Sequence, residues 1–208
     1  HMHCLYNHHE QACAIAAEGY ARVHNRMAVV CVTSGPGAIN ALNGVAGAYM
    51  DSIPMLIISG QTKSSLTVKA SGLKLRALGN QEFNIMSAIG EMTKYGEMIM
   101  EPQKIRYVLE KACYLAVTGR PGPCWIDIPL DIQGAVIDTD KLQGYTPDEP
   151  AVLPIARNNI RKVMEHIKKA RRPVIYAGNG IRISGGYEVF RELIEKLQIP
   201  VVTCWDSI

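Results

Sequence analysis

The sequence predicts a doubly wound α/β fold, a parallel sheet with helices on both faces, followed by the beginning of a second α/β domain. Residues 27–33 (Met-Ala-Val-Val-Cys-Val-Thr) and 55–59 (Met-Leu-Ile-Ile-Ser) are continuous apolar runs rich in β-branched residues. That is the pattern of parallel strands covered on both faces, not of strands with one wet side. Each run stops at a glycine turn, and residues 38–50 between them carry apolar side chains at helical spacing. Strand, turn, helix and strand make a βαβ unit, whose crossover is expected to be right-handed.

Taken in order, residues 3–7 read as the end of a strand. From Gln11 to Val23, the residues Ala12, Cys13, Ile15, Ala16, Ala17 and Tyr20 form a broad face of mostly small side chains. A helix of this kind can approach another backbone closely, as at a domain or subunit contact, and ordinary helix-on-sheet packing would use it equally well. The first buried strand ends at Ser34-Gly35-Pro36-Gly37, and Ala41, Leu42, Val45, Ala46 and Tyr49 mark the helix that follows, which Asp51-Ser52 breaks. After the second strand, residues 62–80 are polar and punctuated by glycine, with Lys63, Lys69, Lys74 and Arg76. They read as a mobile loop, and a loop of that length suggests function. Ile85–Ile89 begins a short helix and 93–99 a short strand. Pro102 opens a helix whose Ile105, Val108, Leu109, Ala112, Cys113, Leu115 and Ala116 recur at helical spacing. Residues 119–123 end it, and 124–129 read as a further strand.

The composition shifts after Asp131. Residues 133–154, with Gly144, Pro147, Pro150 and Pro154 among acidic residues, read as a linker between a domain at 1–132 and one at 155–208. The second part shows a helix at 158–170, a strand at 173–177, a Gly178-Asn179-Gly180 turn, a helix at 186–197 and a strand at 200–204. Two helices and two strands do not close a core. The sequence is therefore expected to be part of a longer chain, with its second domain truncated.

The 208 residues are 48% hydrophobic and carry a net charge of +3 with dispersed basic residues. This balance argues against nucleic acid and membrane as partners. No run is long enough to span a bilayer and no secretory segment is evident, so a cytoplasmic location is the default expectation. Six cysteines at positions 4, 13, 31, 113, 124 and 204 lack metal or redox spacing and read as reduced core thiols. His1, His3, Cys4, His8 and His9 are dense, yet they do not follow an ordinary ligand pattern, and no metal site is expected there.

Doubly wound sheets bind ligands at the carboxyl ends of their strands. Glu10, opening a helix, and Gly35-Pro36-Gly37, closing a strand, both belong at that edge. Each has a plain structural reading: an acid on a helix dipole and a strand-to-helix turn. The turn lacks the lysine of a P-loop and the spacing of a dinucleotide fingerprint, and Gly178-Asn179-Gly180 lacks the third glycine.

Taken together, His-His-Glu-Gln-Ala at 8–12, Thr-Ser-Gly-Pro-Gly-Ala-Ile-Asn at 33–40, Ala-Tyr-Met-Asp-Ser-Ile-Pro at 48–54, Ile-Ser-Gly-Gln at 58–61 and Arg-Pro-Gly-Pro-Cys-Trp-Ile-Asp-Ile-Pro-Leu-Asp at 120–131 resemble the thiamin-diphosphate enzymes of the acetolactate synthase type. The resemblance implies a pyrimidine-binding domain followed by the start of the family's central domain. It implies that Glu10 hydrogen-bonds the aminopyrimidine ring, that Pro36 and Asn40 line the same pocket, and that Gly35 and Gly37 let backbone come close. Gln81 resembles a glutamine that reaches the reacting centre. Asn80 stands where such synthases usually have phenylalanine, and the loop before it is longer. The implied cofactors are thiamin diphosphate and magnesium, the latter through a diphosphate-binding domain outside this sequence, with FAD a possible addition in the full-length parent. The implied partners are a 2-oxo acid substrate and a second copy of the chain, the site lying between subunits. The expected function is a lyase or carboligase, the fragment itself being inactive. The alternatives are a decarboxylase or oxidase relative with another 2-oxo acid, and a catalytically silent assembly subunit.

Overall fold

A computed structural model describes residues 3–148, 155–205 and 207. The chain forms two compact units, His1–Pro147 and Asp148–Ile208. The first opens with helix α1 (Glu10–His24), strand β1 (Ala28–Val32), helices α2 (Pro36–Asn40) and α3 (Leu42–Met50), and strand β2 (Met55–Gln61). It continues through α4 (Val68–Ser71), α5 (Ile85–Ala88), β3 (Tyr95–Met98), α6 (Ile105–Val117), β4 (Pro123–Pro129) and α7 (Leu130–Gln133). All four strands are parallel, in the order β1-β2-β4-β3.

Alternate residues along a strand face opposite sides, and here both sides are packed. Met55, Ile57 and Trp125 join α1, α3, Ile85 and Ile89 in one core layer. Leu56, Cys124 and Ile126 join Val108, Ala112 and Ala116 of α6 in the other. The small residues of α1 and α3 answer each other: a Cβ on Gly44 would lie 2.7 Å from both the Cβ and the carbonyl carbon of Ala14.

Several elements depart from the sequence-based expectation. Residues 3–7 form no strand. The helix expected at 38–50 is two helices, because Ala41 relaxes to ψ −15° between them. Strand β1 is covered on one face only: α6 packs on β2, β3 and β4, which leaves Val29 57% exposed and Cys31 exposed. Cys4 is exposed as well, and Cys124 alone of the six thiols is buried.

Residues 62–80 are tied down. Asp131 accepts from the Ser64 amide at 2.7 Å and from its hydroxyl at 2.5 Å, starting a 3₁₀ turn at Ser64–Leu66. Glu82 accepts from the amides of Val68 and Leu78 at 2.5 and 2.6 Å. Two carboxylates thus satisfy backbone donors that a loop of this length would otherwise leave to water. The stretch 133–147, expected as linker, folds onto the first unit. The Tyr145 amide donates to Glu110 at 2.7 Å and its ring meets Tyr107 edge-on at 5.4 Å. Residues 149–154, the rest of the expected linker, lie outside the described residues, as does His1.

The second unit contains α8 (Arg157–Lys169), β5 (Ile175–Ala177), α9 (Gly180–Ile183), α10 (Tyr187–Leu197) and β6 (Val201–Thr203), with β5 and β6 parallel. Ile160, Val163 and Leu193, apolar residues of α8 and α10, are about half exposed. No described helix is long and apolar enough to cross a membrane.

Candidate functional site

Because the strands are parallel, their carboxyl ends share one edge of the sheet. The turn after β1 lies there. Gly35 adopts φ 56°, ψ −122°, a conformation open essentially to glycine alone. A Cβ at Gly35 would fall on the carbonyl of Gln81. Gln81 itself has φ 53°, left-handed and uncommon for a residue with a side chain. A Cβ at Gly37 would lie 2.5 Å from the methyl group of Thr33 and 3.1 Å from Oε1 of Glu10. The turn is therefore pinched between the backbone of Gln81 on one side and the Glu10 carboxylate on the other. Exposed Pro36 opens α2 at its first position, where a missing N–H costs nothing.

Glu10 stands in the first turn of α1. The imidazole Nδ1 of His9 accepts from the Gln11 amide at 3.1 Å and caps the helix. The Asn40 amide, at the end of α2, donates to Glu10 Oε2 at 3.1 Å. This bond above all holds the carboxyl below its ordinary titration range, with smaller help from backbone and from His9. The half-buried carboxylate thus meets a substituent-free stretch of backbone, with one oxygen engaged by Asn40. Glu10, Gly35, Gly37, Asn40 and Gln81 come together; Gln81 does so through its backbone, its side chain being exposed.

Residues 1–88 match the family described as thiamine pyrophosphate enzyme, N-terminal TPP binding domain, and residues 160–207 match thiamine pyrophosphate enzyme, central domain. The chain thus carries thiamine pyrophosphate enzyme N-terminal and central domain sequence over these two segments. An acetolactate synthase large subunit of Lactococcus lactis is 37% identical over 200 residues, 94% of this chain and 33% of that protein. The large subunit from Buchnera aphidicola of Schizaphis graminum is 39% identical over 208 residues, again 94% and 33%. The acetolactate synthase isozyme 3 large subunit of Escherichia coli is 34% identical over 204 residues, 93% and 33%. The chain thus spans about a third of the length of these relatives. A carboxylate at the edge of the sheet with one oxygen bonded to Asn40 has the chemistry to meet a ring nitrogen of thiamine pyrophosphate.

Beneath this edge lies a polar cluster that the sequence reading did not single out as a site. Ser59 and Asp127, register partners on β2 and β4, are both fully buried. The Ser59 hydroxyl donates to Asp127 Oδ1 at 2.6 Å and accepts from the Trp125 indole at 2.8 Å. Gln61 donates to Asp127 Oδ2 at 3.0 Å. The signal was present in the sequence: Ser59, Gln61 and Asp127 interrupt apolar strands at positions that must face inward.

Burial pushes the Asp127 carboxyl up to about 6, against the opposing hydrogen bonds of Ser59 and Gln61 and the charge of Lys69. A carboxyl whose folded value lies above the unfolded one favours the fold most at low pH, and that contribution disappears as pH rises through about 6. The difference in unfolding free energy between wild type and Asp127→Asn should therefore fall by ~2 kcal/mol between pH 4 and 7. Glu10, Glu110 and Asp131, whose carboxyls are held low, act in the opposite direction and cancel in this difference. Denaturant melts at the two pH values measure it, and a difference independent of pH would contradict the assignment.

Proposed function

We propose that this chain forms the cofactor's pyrimidine site in an acetolactate synthase-type carboligase that uses thiamin diphosphate and acts on a 2-oxo acid. The observation that carries the reading is the meeting of the Glu10 carboxylate, bonded to Asn40, with Gly35 and Gly37 at the carboxyl edge of the sheet. The printed names of the relatives support it.

When bound, thiamin diphosphate supplies the electron sink that a 2-oxo acid needs in order to lose carbon dioxide. Glu10 is the chain's proton-handling group toward the aminopyrimidine. In the open site the Asn40 bond holds its carboxyl below the ordinary range. Covering that carboxylate with an aromatic ring removes water and raises its affinity for a proton, which suits a group that must share one. Gly35 and Gly37 let the turn pack against Gln81 and Glu10.

The proposal includes magnesium, bound through residues outside this chain, and a homodimer. One side of α1 supports a second copy: Ile15, Tyr20 and Val23 are 47%, 49% and 70% exposed around Gly19, which has open space in front of it. Visible absorption of the purified full-length protein decides whether FAD is bound as well.

Product analysis tests the reading. The full-length protein, given pyruvate, thiamin diphosphate and magnesium, is expected to convert two pyruvates to acetolactate and carbon dioxide. Acetaldehyde as sole product would make it a decarboxylase instead. Turnover of longer 2-oxo acids alone would change the substrate, and no turnover of any 2-oxo acid would overturn the proposal.

A further inference from the structure

We propose that Asp127 and Gln61 form a relay that positions residues 81–83 against the Gly35 turn, making both of them positioning residues for the site. The inference rests in part on the reading of that site as catalytic, but its geometry stands independently. Gln61 ends β2 and is 5% exposed. Its amide nitrogen has two hydrogens and both are used: one donates to Asp127 Oδ2 at 3.0 Å, the other to the Phe83 carbonyl at 3.0 Å. Its oxygen accepts from the Thr62 amide at 3.0 Å. A carboxylate and a carbonyl can only accept and an amide N–H can only donate, so these three partners permit a single orientation of the Gln61 side chain.

Phe83 is two residues beyond Gln81, whose carbonyl abuts Gly35. The Phe83 carbonyl also accepts from the Ile85 amide at 2.9 Å, so the strained turn at Gln81 is pinned from the α5 side. Asp127 is in turn held by Ser59, and Ser59 by Trp125. The chain of bonds thus runs from the centre of the sheet through Asp127 and Gln61 to the loop. Buried polar groups of this kind, fully satisfied, fix a single arrangement.

Asp127→Asn tests the relay without changing the size of the buried group. The asparagine can keep the Ser59 bond through its oxygen, but its NH₂ then faces the NH₂ of Gln61. If Gln61 turns over to accept, it no longer donates to Phe83 with the same nitrogen and it opposes the Thr62 amide. Hydrogen exchange on the full-length protein, without cofactor, is the first readout. Amides of residues 79–84 are expected to exchange roughly tenfold faster in Asp127→Asn, while those of β2 and β4 keep wild-type protection. Unchanged exchange at 79–84 overturns the proposal, and so does faster exchange throughout β2 and β4, which means general destabilisation. Should Asp127→Asn not fold, Gln61→Met decides by the same criterion, since it leaves Asp127 its Ser59 donor.

The second readout is a double-mutant cycle on carbon dioxide release from a 2-oxo acid. Asp127→Asn is expected to lower kcat roughly tenfold in the wild-type background and to have little further effect when Gln61 is methionine, because the relay is then already broken. Additive losses overturn the relay. Absence of turnover in the wild type would count against the proposed function, while the exchange experiment would still decide the relay.

Discussion

Replacing Glu10 by glutamine in the full-length protein is expected to reduce carbon dioxide release from pyruvate roughly 10²–10⁴-fold at saturating thiamin diphosphate and magnesium, the usual contribution of a positioned acid or base. Glutamine matches glutamate in shape, so the fold and the contact with Asn40 can survive. What disappears is the titrating carboxyl. The Asn40 amide, 3.1 Å from Oε2, chiefly holds that carboxyl below its ordinary titration range, and no amide can take up and return a proton in its place. Steady-state rates of carbon dioxide release, with melting curves to show that the variant is folded, make the comparison. A folded variant with undiminished release would remove Glu10 from the chemistry and with it the main support for the proposed function. Asn40→Ala offers a graded companion: it keeps the carboxyl but removes the bond that lowers its titration, so a smaller loss is expected.

Gly35→Ala is expected to destabilise the first unit by ~2–6 kcal/mol, from two separate causes. A side chain at φ 56°, ψ −122° costs of order 1–3 kcal/mol in backbone strain. The added methyl group would also collide with the Gln81 carbonyl, and overpacking at a rigid contact costs about 1–3 kcal/mol. Against the 5–15 kcal/mol that holds a typical domain together, this is a large fraction. A drop in melting temperature of roughly 10 °C is the corresponding observable. If the loop at 81–83 gives way instead, melting changes less and activity falls, because the loop no longer abuts the turn. A variant that melts and turns over as the wild type does would show that the Gly35–Gln81 contact has no consequence.

Much of the fold could be read in advance, and for identifiable reasons. Residues 55–59 are apolar without alternation because both faces of a central parallel strand are buried, and Met55 and Leu56 indeed enter opposite core layers. Helix α6 was legible because its core face recurs at helical spacing and Pro102 marks its approach. Strand β1 shows where the pattern misleads. Its apolar run is as continuous as that of β2, but coverage depends on how far α6 reaches, and α6 does not cover Val29 and Cys31. The polar run at 62–80 misled in the other direction: composition alone does not reveal that Asp131 and Glu82 supply acceptors for its amides.

The sequence by itself determined the α/β class, the order of the main strands and helices from α1 onward, and, through its resemblance to a family, the candidates Glu10, Gly35, Pro36, Gly37, Asn40 and Gln81. These are local matters of periodicity, glycine placement and motif. Only the tertiary structure decided which of them meet. Glu10 and Asn40 lie 30 positions apart and share a hydrogen bond, while Gly35 touches Gln81 through a backbone conformation that no motif encodes. It also decided that Asp127 lies beneath them, 66 positions from Gln61 and bonded to it. The physical reason is that burial and hydrogen-bond partnership are set by strand register and loop closure. Parallel pairing brings Ser59 opposite Asp127 and leaves a buried carboxylate that must find its donors among residues distant along the chain.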